Sequence, residues 1–486
     1  ARSLVEILDQ AGAGAGRSAD PALADRARRL RETVDALEVE RLEQIKGGAA
    51  DAEVQAAAAR LNEALAEASE VEGELRAGSA GYAALTAPQP LTLAAIREQV
   101  LDGSAVLLEY WLGGERSTLW VVTPDALQSF RLPPRGEIED LAKRYYAQLT
   151  ARNHEAGLPV AERTKRRAAA DAAAAALGRE LSALLLAPAA DLLGDRPLLV
   201  VADGALQYIP FRALPSPGGG GPLLAKHDVV ALPSASALAA LRREVRARKP
   251  PERTLAVLAD PVFQRAELVA QAPPPAAAGA TLRGDVEGDL DRGHFRRLAA
   301  SEKEAAAISR LVPAGQKRLW TRFSASRQTA TSGELSHYAY VHFATHGLLD
   351  STHPERSSLV LSLLDKLGRP QNGYLRLDDV YNLHLNARLV VLSACQTALG
   401  KTIRGEGLLG LTRGFMYAGA ERVVATLWSV EDRPTTELMR LLYGGMLKGG
   451  LSPAAALRRA QLAMAAGTRY AAPYFWAGFQ LQGEWR

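Results

Sequence analysis

Cysteine is nearly absent: 486 residues contain one, Cys395. That excludes an intrachain disulfide framework and fits a reducing compartment, so a cytoplasmic location is expected. Aromatic residues are few, at 6%, and they are not interleaved with the scattered arginines. The footprint of a nucleic-acid surface is therefore missing, and no direct nucleic-acid partner is expected. A charge excess is missing too, because 58 basic and 54 acidic residues leave only +4. No apolar run reaches the roughly 18 residues of a membrane-spanning helix, so no membrane association is expected. The N-terminus places Arg2, Glu6 and Asp9 where a signal peptide would be apolar. It opens on Ala1 without an initiator methionine, so a longer parent protein with an upstream domain is expected.

What is present is a 48% hydrophobic chain, enough for a sizeable core and two or three domains. In residues 21–46, Leu23, Leu30 and Leu37 recur every seven positions, with Val34, Leu42 and Ile45 on the same stripe. This predicts an amphipathic helix, broken at Gly47 and Gly48. A second helix over 51–77 carries Val54, Ala58, Leu61, Leu65, Ala68 and Leu75. Residues 1–90 therefore read as a helical hairpin that must dock elsewhere to bury its stripe, on the main body or on helical repeats upstream.

From residue 92 the pattern changes. "SAVLLEYWLG" and "STLWVVTP" predict a hairpin, with helices at 136–152 and 161–187. "RPLLVV", "RTLAVLAD", "YAYVHFATHG" (338–347), "SSLVLS" (357–362), "RLVVLSA" (388–394) and "RVVATLW" (422–428) are apolar strands separated by helices. Such runs imply an α/β fold with a mainly parallel sheet covered on both faces. Helices are expected at 301–312, with Ser301 as N-cap and Glu304 completing a capping box, at 407–420, closed by Gly419, and after Pro434 and Pro453. Residues 264–294 are Pro, Ala and Gly rich and read as a mobile surface loop.

Two strand ends hold the candidate chemistry. "VHFATHG" ends on His346 and Gly347; "VVLSACQT" ends on Cys395, 49 positions after the histidine. In open α/β sheets functional groups gather beyond the carboxyl ends of strands. Neighbouring strands would bring the imidazole to the thiol, and the thiolate is the nucleophile. Leu389–Leu392 would then be the buried strand and Ser393–Thr397 the turn presenting the thiol. Backbone N–H groups of Gly347 and Cys395 are candidate oxyanion donors. The competing reading makes Cys395 a buried small hydrophobe. His342 and His346 lie four apart on one strand, too far for one zinc ion, so no metal and no cofactor is expected, and His342 is read as packed in the sheet.

The ordered blocks "VHFATHG", "VVLSACQTALG", "RGEGLLGLTRGFMYAGAERVVATLWSVED" and "YFWAGFQLQG" resemble the CHAT family of caspase-like cysteine peptidases, relatives of separase often fused to tetratricopeptide repeats. The resemblance covers about 92–486. It implies a caspase/hemoglobinase-like sandwich, with a pseudo-caspase half over 91–250 and an active half over 251–486. It implies His346 as base and Cys395 as nucleophile of peptide-bond hydrolysis, with a protein as substrate. Separase-type relatives carry an acid after the matching Leu-Trp that reads a basic P1 side chain. Asp432 falls there, preceded by Glu431; helix capping is the alternative role for Asp432. Glu406 is a further candidate acid, or braces its own loop through Arg404. Trp428 and Trp476 are candidate subsite aromatics, with core packing as the alternative. Arg283, Arg292, Arg296 and Arg297 offer basic sites for self-cleavage in or beside the 264–294 loop. An activating protein acting through the N-terminal helices is expected, on a monomer. The alternatives are a catalytically silent scaffold of the same fold, or a thiol acyltransferase.

Overall fold

The computed structural model describes residues 21–77, 90–155, 157–246, 248–265, 267, 295–350, 357–393, 395–399 and 406–486. Helices α1 (Pro21–Gly47) and α2 (Asp51–Ala77) come first, with the predicted bounds to within a residue. Gly48 turns the chain at φ +73°, a region that favours glycine. Val34 packs with Leu61, Leu65 and Ala68, and Leu30 and Leu37 close over them. The seven-residue stripe is thus the seam of the hairpin.

Strands β1 (Val106–Trp111), β2 (Ser117–Val122) and β3 (Leu127–Leu132) form an antiparallel meander. The predicted hairpin is β1–β2. β3, "LQSFRL", shows no alternating apolar pattern in the sequence, and only Leu132 of its six residues is buried. Next come α3 (Arg135–Leu149), α4 (Val160–Leu185), β4 (Leu198–Val201), β5 (Val229–Ala231) and α5 (Ala235–Arg246).

The following stretch runs β6 (Arg253–Ala259), α6 (Ala299–Ser309), β7 (Lys317–Thr321), β8 (Tyr338–Ala344), β9 (His346–Asp350), β10 (Ser358–Val360), β11 (Tyr374–Arg376), α7 (Leu377–Tyr381), β12 (Leu389–Leu392), β13 (Cys395–Leu399) and α8 (Glu406–Tyr417). The last elements are β14 (Arg422–Thr426), α9 (Asp432–Leu447), α10 (Pro453–Ala465) and β15 (Phe479–Gly483). Ser452 caps α10 by accepting from Ala455 N, and Pro453 is its first residue, as the sequence predicts. Gly419 closes α8 at φ +116°, where a Cβ would sit 2.1 Å from the Leu385 carbonyl.

Two compact units result. The first takes the described parts of 1–89, 244–402 and 406–421. Its main sheet has the order β12-β8-β6-β7, all parallel. Each residue of β12 and each residue from Leu255 to Ala259 of β6 is buried, which accounts for their unbroken apolar sequences. Beyond it lies a small sheet, β11-β10-β9-β13. The second unit takes 90–243 and 422–486. Its sheet runs β3-β2-β1-β4-β5-β15-β14, parallel from β1 through β15 and antiparallel at both ends. A division of the chain at 250 therefore does not match these units. Residues 422–486 join 90–243 because β15 pairs with both β5 and β14. Among the described residues no single helix is long and apolar enough to cross a membrane.

Candidate active site

The strands that deliver His346 and Cys395 are neighbours. β8 and β12 pair in parallel, with Phe343 opposite Leu392. β8 ends at Ala344, the last residue paired with β6. Thr345 then breaks the strand, and its hydroxyl donates to the Val360 carbonyl. The chain continues as β9 into the small sheet. β12 does the same after Leu392, and β13 pairs in parallel with β9, with Cys395 opposite His346. Backbones at such a pair lie about 4.8 Å apart. The expected turn over Ser393–Thr397 is corrected here: from Cys395 onward the chain is strand.

His346 is 1% exposed. Its ring packs against Phe263 at 5.1 Å and Phe295 at 5.5 Å, centroid to centroid, and those two rings also touch each other at 5.5 Å. Nε2 is 2.8 Å from the Arg296 carbonyl oxygen. A carbonyl can only accept, so Nε2 carries a hydrogen and donates it, and in the neutral ring Nδ1 holds the lone pair. The segment supplying that carbonyl is anchored on both sides. Gln264 Nε2 donates to the Phe295 carbonyl at 2.9 Å. Arg297 makes a two-pronged ion pair with Asp260, at 2.9 and 2.7 Å. Asp260 is fully buried and sits in the left-handed region at φ +48°.

The cage around the imidazole extends to the hairpin. Leu42 of α1 belongs to one buried cluster with Phe263, Phe295, Leu348, Val360, Leu363 and Tyr374. Polar contacts flank it on the same helix. Asp35 accepts from Arg327 at 3.0 Å and from Asn372 at 2.7 Å. Glu38, completely buried, takes Arg41 at 2.6 Å and also Arg376. Burial alone would raise the Glu38 carboxyl, but the two guanidinium groups outweigh it and hold the carboxyl below the usual range. The expectation that the hairpin docks on the main body is met through α1.

His342 is packed in the sheet, as expected, between Val257 of β6 and Val391 of β12. Its partner is a carboxylate: Nε2 lies 3.0 Å from Glu304 Oε1, with both side chains fully buried. Glu304 therefore does not complete a capping box. α6 starts at Ala299 after Leu298, and Ser301 accepts from Asp260 N at 2.9 Å instead of capping the helix.

The other candidates are dispersed. Gly347 stands in β9 between Leu359 and Gln396. Glu406 is the first residue of α8; Arg404, its proposed brace, lies outside the described residues, as do 268–294 with Arg283 and Arg292. Arg297 is committed to Asp260, which makes it a poor cleavage site. Glu431, Asp432, Trp428 and Trp476 belong to the second unit. Asp432 is the first residue of α9 and Glu431 precedes it, with no side-chain cap. Desolvation raises the Glu431 carboxyl against the pull of Arg167 and Arg152. Trp428 and Trp476 are both buried, and their indole N–H groups donate to the carbonyls of Tyr474 and Ala471. Trp428 packs against Gly478, where a Cβ would approach within 2.9 Å. Both tryptophans are core, as their capacity to bury area favours.

Sequence reasoning missed Phe263, Phe295, the Arg296 carbonyl and the Asp260–Arg297 pair. The one signal available was the pair of arginines after the 264–294 stretch, read as cleavage sites when one of them is an anchor. If Phe295 orients the imidazole, Phe295→Leu should cost about 1 kcal/mol of stability and lower kcat more than it raises KM. Denaturant unfolding and steady-state kinetics check both.

A family model described as the CHAT domain matches residues 175–484. Tetratricopeptide repeat protein 28 from Homo sapiens is 25% identical over 319 residues, which is 60% of this chain and 12% of that protein. The Mus musculus protein of the same name is 25% identical over 318 residues, with the same shares. The chain thus spans about an eighth of the length of these curated relatives. Among solved structures, the separase–securin complex of Saccharomyces cerevisiae resembles it in two forms. One has a TM-score of 0.52 at 11% identity, covering 85% of this chain and 32% of that one. The other has a TM-score of 0.51 at 10% identity, covering 95% and 40%. At these identities the likeness is one of fold.

Proposed function

We propose that the chain, which belongs to the CHAT domain family, is a cysteine endopeptidase in which Cys395 is the nucleophile and His346 the base. The observation that carries this reading is the register of the small sheet, Cys395 opposite His346. The Arg296 carbonyl fixes the hydrogen on Nε2, so Nδ1 is the nitrogen that takes the thiol proton. The thiolate attacks the scissile carbonyl carbon, and the negative charge passes to its oxygen. Backbone N–H groups at Gly347 and Cys395 are the proposed donors to that oxygen. Collapse expels the amine, which takes the proton from the imidazolium. Water, deprotonated by His346 in turn, then cleaves the thioester.

An imidazole that is 1% exposed is out of reach of a protein substrate. Both edges of β9 are also covered, by β10 and β13, so the Gly347 N–H faces a strand. These two facts support a resting form, opened before turnover by a partner. The route we assign runs through α1, because Leu42 shares the cluster that cages His346.

For P1 the reading is a basic residue, with Asp432 as its acid. Glu431 is the weaker candidate, since Arg167 and Arg152 already act on its charge. An unbiased cleavage profile tests the whole assignment. Wild type should cut after Arg or Lys, and Cys395→Ala should not cut. Asp432→Ala should keep turnover and lose most of the basic preference, by roughly tenfold or more for a charge-assisted contact. An unchanged profile in Asp432→Ala removes the P1 assignment and leaves the nucleophile. No Cys395-dependent cleavage at all would favour a scaffold, and transfer to an amine in place of water an acyltransferase.

A further inference from the structure

The second unit contains a pocket of about 520 Å³, within the roughly 300–1,000 Å³ that holds a small organic ligand. Tyr145 and Leu149 of α3 form one wall, the 213–222 turn another, and Pro473, Tyr474 and Trp476 a third. The fourth wall, α4, leaves space because it presents Ala174, Ala175 and Gly178. A Cβ at Gly178 would lie only 3.2 Å from the Tyr145 ring.

Most polar groups at this pocket are already committed. The Tyr474 hydroxyl donates to Asn153 Oδ1 at 2.7 Å, and Trp476 Nε1 to the Ala471 carbonyl at 3.0 Å. These rings therefore offer apolar surface. Asp171 is matched by Arg152 through two bonds of 2.7 Å, and Arg152 lies over the Tyr474 and Phe475 rings. Three groups remain. Arg179, exposed on α4, pairs with no acid among the described residues. The Ser216 hydroxyl likewise has no partner there. Tyr145 is 3% exposed, and its hydroxyl makes no hydrogen bond among the described residues.

We infer that this pocket binds a small amphipathic carboxylate. The apolar body lies on Tyr474, Trp476 and the alanine face of α4; the carboxylate takes Arg179, and Tyr145 and Ser216 supply hydroxyl donors. A cation has no acid left to meet, because Asp171 is already paired. A neutral molecule would leave the Arg179 charge unused. The inference does not depend on the peptidase reading, since every residue in it belongs to the second unit.

Calorimetric titration of the full chain with octanoate, octan-1-ol and octylammonium tests it. Octanoate should bind saturably at one site at millimolar concentration, octan-1-ol more weakly and octylammonium not at all. Arg179→Gln, at an exposed helix position, should weaken octanoate by about fivefold, the scale of a half-exposed charge pair, and leave octan-1-ol unchanged. Ala175→Trp, also exposed, should block both by filling the pocket. Absence of saturable octanoate binding overturns the proposal. So does octanoate binding that neither variant alters, or octylammonium binding as tight as octanoate.

Discussion

Cys395→Ala is expected to lower turnover of any peptide substrate by at least about 10⁴-fold, the scale of removing a nucleophile that acts as a unit with its base. His346→Ala should fall by a similar factor, and the double variant should be no worse than either. That non-additivity is the informative readout, because two residues with separate roles would multiply their losses. Fluorogenic peptides measured beside circular dichroism provide the check. Cys395→Ala removes one small sulfur group and should fold as wild type does. His346→Ala opens space beside the Phe263 and Phe295 rings, so some loss of melting temperature is expected with it. Equal turnover in wild type and Cys395→Ala would end the peptidase assignment.

Glu38→Gln is expected to destabilise the first unit by about 3 kcal/mol at neutral pH, since it leaves two buried guanidinium groups without their carboxylate. The pH dependence carries a definite sign. The folded Glu38 carboxyl titrates below its ordinary value of 4.5, so its contribution is fully present above that value. It is lost as the pH falls through the lowered pKa. Gln resembles the protonated acid, so the gap between wild type and variant should close on the acid side. Urea unfolding at a series of pH values measures it. Hydrogen exchange should locate the weakened contact at Pro21–Gly47. A gap that persists unchanged into acid would show that shape, not charge, holds α1 in place.

The sequence revealed elements wherever burial imposed a period. The heptad of Leu23, Leu30 and Leu37 predicted α1, and the unbroken runs at 255–259 and 389–392 predicted parallel strands, because one stripe or both faces had to be apolar. Some short or edge strands escaped, although three-residue β10 was legible within "SSLVLS". β3 is mostly exposed, β5 and β11 have three residues each, and none of these buries enough to write a pattern. At the candidate site the two apolar strand runs were legible, but their pairing stood only as a condition, and the His346–Cys395 register was not legible because it is set in a second sheet where the sequence suggested a turn. The cage was not inferable. Phe263, Phe295 and Leu42 come from three distant segments, and the atom that fixes the imidazole is a main-chain carbonyl, whose position no side chain encodes. Glu304 was misassigned for a related reason: a local motif suggested a cap, while a histidine on another element claimed the carboxylate.

The interleaving of the two units also sets an order of assembly on the ribosome. All described strands of the first unit have been synthesised once residue 399 has emerged, and α8 ends at Tyr417. The strands of the second unit begin earlier, with β1 at Val106, and finish later. β5 ends at Ala231, yet its neighbour β15 starts at Phe479. Between those two points of synthesis, β5 therefore presents a bare parallel edge of the kind that recruits strands from other chains. The unit without the cysteine is the one whose folding waits for β15, and that strand must enter between β5 and β14 to close it.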